Sequence, residues 1–275
     1  MKYSENRACS PRRRRRLRKI ILLFNSLELQ EGCGITTESA HAINGNCTAL
    51  RERKTTEMDA AMSADFDPAV SLSGRAQAML DAWFGPPGDP AREQHREIWF
   101  KSTAEFDAAL RDAFLADLEA GAAGKLRLWE ALPEGALALV LLLDQIPRNI
   151  FRGTPRAYAT DAAARAVADR ALERGFDQLV PSVRRRFFYF PFHHSEDIGD
   201  QRRSVALFDA LPCNPDRRDS LRRYGRPYVE VIEQFGRFPH RNAILGREST
   251  PAEIAFLEER AKASRAAEIE GRSSS

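Results

Sequence analysis

The residues best suited to chemistry fall in three short stretches. "DQIPRNIFRGTP" (residues 144–155) and "GRFPHRNAILGR" (residues 236–247) each contain Arg-Asn, then three residues, then glycine, with a proline just before. They supply four guanidinium groups, Arg148, Arg152, Arg237 and Arg241. Such planar forks match a carboxylate or phosphate. Asp144, Gln145, Asn149 and Asn242 sit beside them. The third stretch, "YFPFHHSEDIGDQ" (residues 189–201), adds His194, Ser195 and Glu196. Asp144, Gln145, Arg148, Asn149, Arg152, Ser195, Arg237, Arg241 and Asn242 form the candidate set for a small anionic ligand. A catalytic version uses His194 or His240 as acid and base, with Glu196 orienting the imidazole.

A structural account competes with this one. Arg and Asn bond the orphan carbonyls at a helix end, and Asn tolerates a left-handed turn. Pro147 and Pro239 are expected to force the preceding residue out of helix. Gly153 and Gly246 allow a turn. Asp144, Glu196 and Asp197 could neutralise the arginines in ion pairs. Taken singly, each residue is better explained as structural, and only the sum points to a ligand.

Other chemistries find less support. His194 and Ser195 are adjacent, and neighbours at a helix start point about 100° apart, which rarely aligns a nucleophile with its base. No nucleophile-elbow sequence surrounds the serine. The histidines and acids follow no metal-ligand spacing, so no metal is expected. There is no phosphate-binding glycine loop and no dinucleotide motif, so no cofactor is expected. The aromatic run Phe187 to Phe192 is explained as core packing.

The elements that must position these residues are helices. Residues 75–84 and 92–100 are expected to be helical, with Gly85-Pro86-Pro87-Gly88 breaking between them. Ser102 and Glu105 form a capping-box pattern. Phe106, Leu110, Phe114 and Leu118 then mark one apolar helix face to about Ala120, ended by Gly121 and Gly124. Pro133 opens "GALALVLLLDQ", apolar all round and poor in β-branched residues, which predicts a central buried helix stopped by Pro147. Thr160 caps the next helix and Gly175 ends it. Pro181 opens another. Ser195 is read as the cap of the one after, with Glu196 and Asp197 in its first turn. A helix is expected over roughly 220–234. The last starts at Thr250, Pro251 and Glu253 and fades into a polar tail. Nothing alternates at period two. The class is all-α, with short turns joining antiparallel neighbours. The 93-residue offset between the two Arg-Asn stretches exceeds one solenoid repeat.

Composition sets the outer limits. The 275 residues carry a formal net charge of +3. Residues 1–57 hold 12 Lys/Arg and 6 Asp/Glu, so the remaining 218 residues are net −3. The basic balance therefore gives no reason to expect nucleic acid on the body. Three of the four cysteines also lie in the first 57 residues, leaving Cys213 alone. A reducing cytoplasm fits that usage. No stretch reaches membrane-span length. Residues 1–57, with their arginine run, show no helical or strand period after Gly32. They are read as a disordered extension, with Met58 or Met62 as an alternative start, and residues 58–275 as one helical domain.

"LLLDQIPRNIFRGTPRAYATD", "FFYFPFHHSEDIGDQRRSVALF" and "FGRFPHRNAILGRESTPAEIAFL", with "WFGP" and "REIWFKSTAEFD", resemble the bacterial domain-of-unknown-function family numbered 924. The resemblance covers about residues 70–257. It implies stacked antiparallel helix pairs like a tetratricopeptide-repeat array, and no established reaction. The matching positions are Asp144, Gln145, Pro147, Arg148, Asn149 and Arg152, then His194, Ser195, Glu196 and Gln201. They continue with Arg237, Phe238, Pro239, His240, Arg241, Asn242 and Gly246. His193 and the polar C-terminal end depart from the pattern. Two functions stay open: a polar pocket for a small anionic ligand, and a scaffold that grips a protein or peptide partner.

Overall fold

The computed structural model describes residues 72–212 and 225–273, with side chains to residue 266. The N-terminal extension to residue 57, the alternative starts, Cys213 and the first residues of the helix expected from 220 lie outside these. Among the described residues every regular element is a helix. In chain order they are α1 (Gly74–Phe84), α2 (Ala104–Ala122), α3 (Pro133–Ile150), α4 (Asp161–Glu173), α5 (Ser182–His193), α6 (Ile198–Asp209), α7 (Arg226–Phe235) and α8 (Pro251–Ser273). Short 3-10 turns link several of them. Consecutive helices from α2 to α7 pack on one another. The short connections from α2 to α6 make those neighbours antiparallel, which yields the expected stack of helix pairs.

The order centres on α3. It touches α1, α2, α4 and α5, and Leu137, Ala138, Val140, Leu141 and Leu142 are fully buried. Each buried leucine is worth about 2 kcal/mol in transfer alone. An all-round apolar sequence suits a helix with neighbours on every side. Its first turn also needs Gly135, because a Cβ there would fall 2.1 Å from the Trp129 carbonyl oxygen.

Several expected boundaries are corrected. Pro147 does not stop α3, which runs three residues further, to Ile150. A proline there deprives the Leu143 carbonyl of its helical donor. The Thr160 hydroxyl takes that place, 2.6 Å from Leu143 O. Thr160 therefore makes no side-chain cap on α4, although it stands at its N-cap. The first Arg-Asn stretch is thus helix, whereas the second is a 3-10 turn, Pro239–Arg241. What the two share is a left-handed glycine, Gly153 and Gly246.

Residues 92–100 are not one helix but two 3-10 turns, Pro90–Glu93 and Glu97–Trp99. Their bend brings Trp99 Nε1 and Arg96 Nη1 each within 2.7 Å of Trp83 O. They donate to a carbonyl that the end of α1 leaves unpaired. The α2 cap is Thr103, accepting from Phe106 N at 3.2 Å, rather than Ser102. Gly121 lies inside α2, packed on Leu139, Leu142 and Leu143. The α6 cap is Asp197, accepting from Asp200 N at 3.0 Å. Ser195 instead accepts from Asp197 N. The expected capping box of α8 forms, with Thr250 N 2.7 Å from Glu253 Oε2. That helix continues to Ser273, beyond the expected fade into a tail.

Among the described residues the apolar interior is in two parts. The larger runs from Ala76 to Leu211 around α3. The smaller is Val231, Ile232, Phe238 and Phe256, contributed by α7, the loop after it and α8. His193 and Tyr228, with ring centroids 4.0 Å apart, bridge the two. No helix among the described residues is long and apolar enough to cross a membrane.

Candidate functional site

The last turns of α3 and α5 meet at Asp144 and His194. The Asp144 carboxylate is inaccessible to solvent. His194 Nδ1 lies 2.8 Å from its Oδ1, and Gln145 Nε2 donates to its Oδ2 at 2.5 Å. Arg148, one turn on, places Nη1 3.2 Å from the same Oδ1. Burial alone would raise the Asp144 carboxyl, but Arg148 and His194 outweigh it and hold it far below the usual range. An ionised Asp144 fixes the imidazole with its proton on Nδ1, leaving Nε2 as an acceptor. Burial, then Arg148, lowers His194 against the opposing pull of Asp144, so the ring stays neutral near pH 7. Phe190 stacks on it, centroids 5.6 Å apart and planes 12° apart.

A second carboxylate extends the cluster. Arg148 grips Asp161, the first residue of α4, with two bonds of 2.8 and 2.9 Å. Arg241 reaches Asp161 Oδ2 from the other side at 3.8 Å. Its guanidinium lies between the rings of Tyr158 and Phe238, 4.6 Å from each centroid. Arg241 is 7% exposed. It donates no side-chain hydrogen bond to a described residue, and its Nε is both buried and unpaired. Burial and the facing Arg148 press its pKa below the ordinary value, yet a guanidinium remains a cation. A chain of polar contacts therefore runs from His194 through Asp144, Arg148 and Asp161 to Arg241. It joins the two parts of the interior.

Other expected members point elsewhere. Arg152 and Asn149 bond Asp107 on α2, at 3.2 and 2.7 Å, and Asn149 also bonds Ser102. Arg237 forms a forked pair with Glu253. Asn242 Nδ2 bonds Ser249. Glu196 does not orient a histidine. Its carboxylate accepts from Phe238 N at 2.8 Å and from Arg247 at 2.7 and 2.9 Å. Asp144 takes the orienting place instead. His240 is exposed beside Phe238. Ser195 is buried and, with His193, has its carbonyl held at 2.6 Å by the buried amide of Gln201.

The sequence matches the family model described as bacterial protein of unknown function (DUF924) over residues 79–261. The chain belongs to this family. A solved structure, described as that of a protein of unknown function from Agrobacterium tumefaciens, shares 42% identity with a TM-score of 0.59. The similarity covers 67% of this chain and 97% of that one. No functionally curated protein matches the sequence. The span matched to the family takes in all three polar stretches, but brings no reaction with it.

Asp161, Tyr158 and Arg247 were missed by sequence reasoning. Asp161 carries the only available signal, an acid in the first turn of a helix that follows Arg148. That signal is shared by any dipole-compensating acid, so it does not single Asp161 out.

Proposed function

We propose that the protein binds a small anionic ligand where the ends of α3 and α5 meet the Pro239–Arg241 turn. The observation that carries this reading is Arg241. It is a nearly buried cation whose nearest counter-charge, at 3.8 Å, is already held by both arms of Arg148. Burying a charge without close hydrogen bonds is costly unless something compensates it. An oxyanion seated on Arg241 supplies that compensation. The neutral His194, presenting Nε2, lies at the other end of the same network and gives a bound ligand an acid or base.

Exposed large apolar side chains favour this reading over a peptide groove. Among the described residues Phe100, Leu128, Leu179 and Ile254 are exposed, and they come from four separate stretches of the chain. The test is thermal melting of the full chain against a panel of anionic metabolites, with Arg241→Gln alongside. A ligand should raise the melting temperature of the wild type and not of the folded variant. Equal shifts in both would remove Arg241 from the site, and no shift from any anion would leave the cluster purely structural.

A further inference from the structure

We propose that the site admits a small oxyanion together with one proton, the proton lodging on Nε2 of His194. This rests on the anion-binding reading and adds how the site balances its charge. Four ionised groups form the network: Asp144 and Arg148 on α3, Asp161 on α4, and Arg241 on the 239–241 turn. Two positive and two negative charges cancel. His193 beside them is 1% exposed and stays neutral, since burial holds it well below its ordinary pKa. Tyr158 turns its ring to both arginines. Glu196 and Arg247 form a separate balanced pair.

An anion entering this neutral network brings an unmatched negative charge into a site that excludes most water. The group that can supply a positive charge is His194. Its Nδ1–H is committed to Asp144 at 2.8 Å. Its Nε2 makes no hydrogen bond among the described residues, and the side chain is 17% exposed, enough for a proton to reach it from solvent. The only bond that forms is N–H, and the only bond that breaks is one in the water or hydronium that delivers the proton. Free His194 is disfavoured as a cation by burial and by Arg148. Asp161, which Arg241 faces at 3.8 Å, already raises His194, and a second negative charge seated beside it acts in the same direction, because opposite charge favours the charged form.

The test uses the full chain and sulfate, whose charge does not change between pH 5 and 9, at ionic strength matched with sodium chloride. Sulfate affinity is read across pH from histidine Hε1 and amide resonances. The wild type should bind about tenfold more tightly for each unit that pH falls within the window between the bound-state and free-state pKa of His194. His194→Asn keeps an amide donor to Asp144, so its affinity should be flat with pH in a fold verified by circular dichroism. Wild-type binding without pH dependence overturns the proton uptake and leaves the anion site standing. The same slope in His194→Asn places the proton elsewhere and also overturns it. Failure of sulfate to bind the wild type, or equal binding by Arg241→Gln, overturns the anion reading and this inference together.

Discussion

Asp144 is the residue on which the most depends. It is buried, ionised, and shared between His194 and Arg148. Asp144→Asn keeps the shape and removes the charge. We expect the variant to lose about 3 kcal/mol of unfolding free energy, because Arg148 keeps only one of its two buried counter-charges. The pKa of His194 should fall further, since Asp144 is what raises it against burial. Denaturant titration and histidine Hε1 titration read the two effects separately. The sequence expectation puts Asp144 in the ligand-binding set and gives the orienting role to Glu196. Fifty residues separate Asp144 from His194, and no local spacing announces such a pair. Glu196, two residues from His194, was attractive only because it was near in sequence.

At the scale of elements, periodicity was informative and punctuation less so. The apolar face of α2 and the all-round apolar α3 follow from Leu and Phe spacing, and the α8 capping box from Thr250 and Glu253. The Pro147 stop failed because a tertiary donor, Thr160, replaced the lost backbone bond. This invites a double-mutant cycle. Thr160→Val should cost about 1–3 kcal/mol by leaving Leu143 O unsatisfied. In a Pro147→Ala background the restored backbone N–H serves that carbonyl, and the same change should cost much less. Equal costs in both backgrounds would deny the compensation. Glu253 gives a pH-dependent test. Its pairing with Arg237 and Thr250 lowers its pKa to about 2. A lowered acid stabilises the fold above its unfolded pKa, about 4.3, and that share is lost as pH falls through about 2. The difference in melting temperature between wild type and Glu253→Gln should therefore be constant above about pH 5 and shrink below it.

Across the whole molecule, the stack was legible from sequence and its division was not. Helix signals place elements along the chain. They do not say that Val231, Ile232, Phe238 and Phe256 form a cluster apart from the core around α3. The Glu196 carboxylate, on the α5–α6 connection, ties that cluster in through Phe238 N and Arg247. Glu196→Gln should speed native-state hydrogen exchange in α7 by about tenfold, equivalent to about 1.4 kcal/mol, and leave amides of α3 unchanged. Uniform acceleration would mean that the two parts open as one.

Because Arg241 comes with the smaller cluster, while Asp144, Arg148 and His194 come with the larger, the proposed anion site is complete only when both parts are docked. Apparent affinity is then the intrinsic affinity scaled by the docked fraction. Phe256→Ala, a change in the smaller cluster outside the charged network, should weaken anion binding in proportion to the undocked population it creates. Affinity for the proposed anion would serve as a gauge of the protein's own assembly, and variation remote from the site could tune it while every contacting side chain stayed the same.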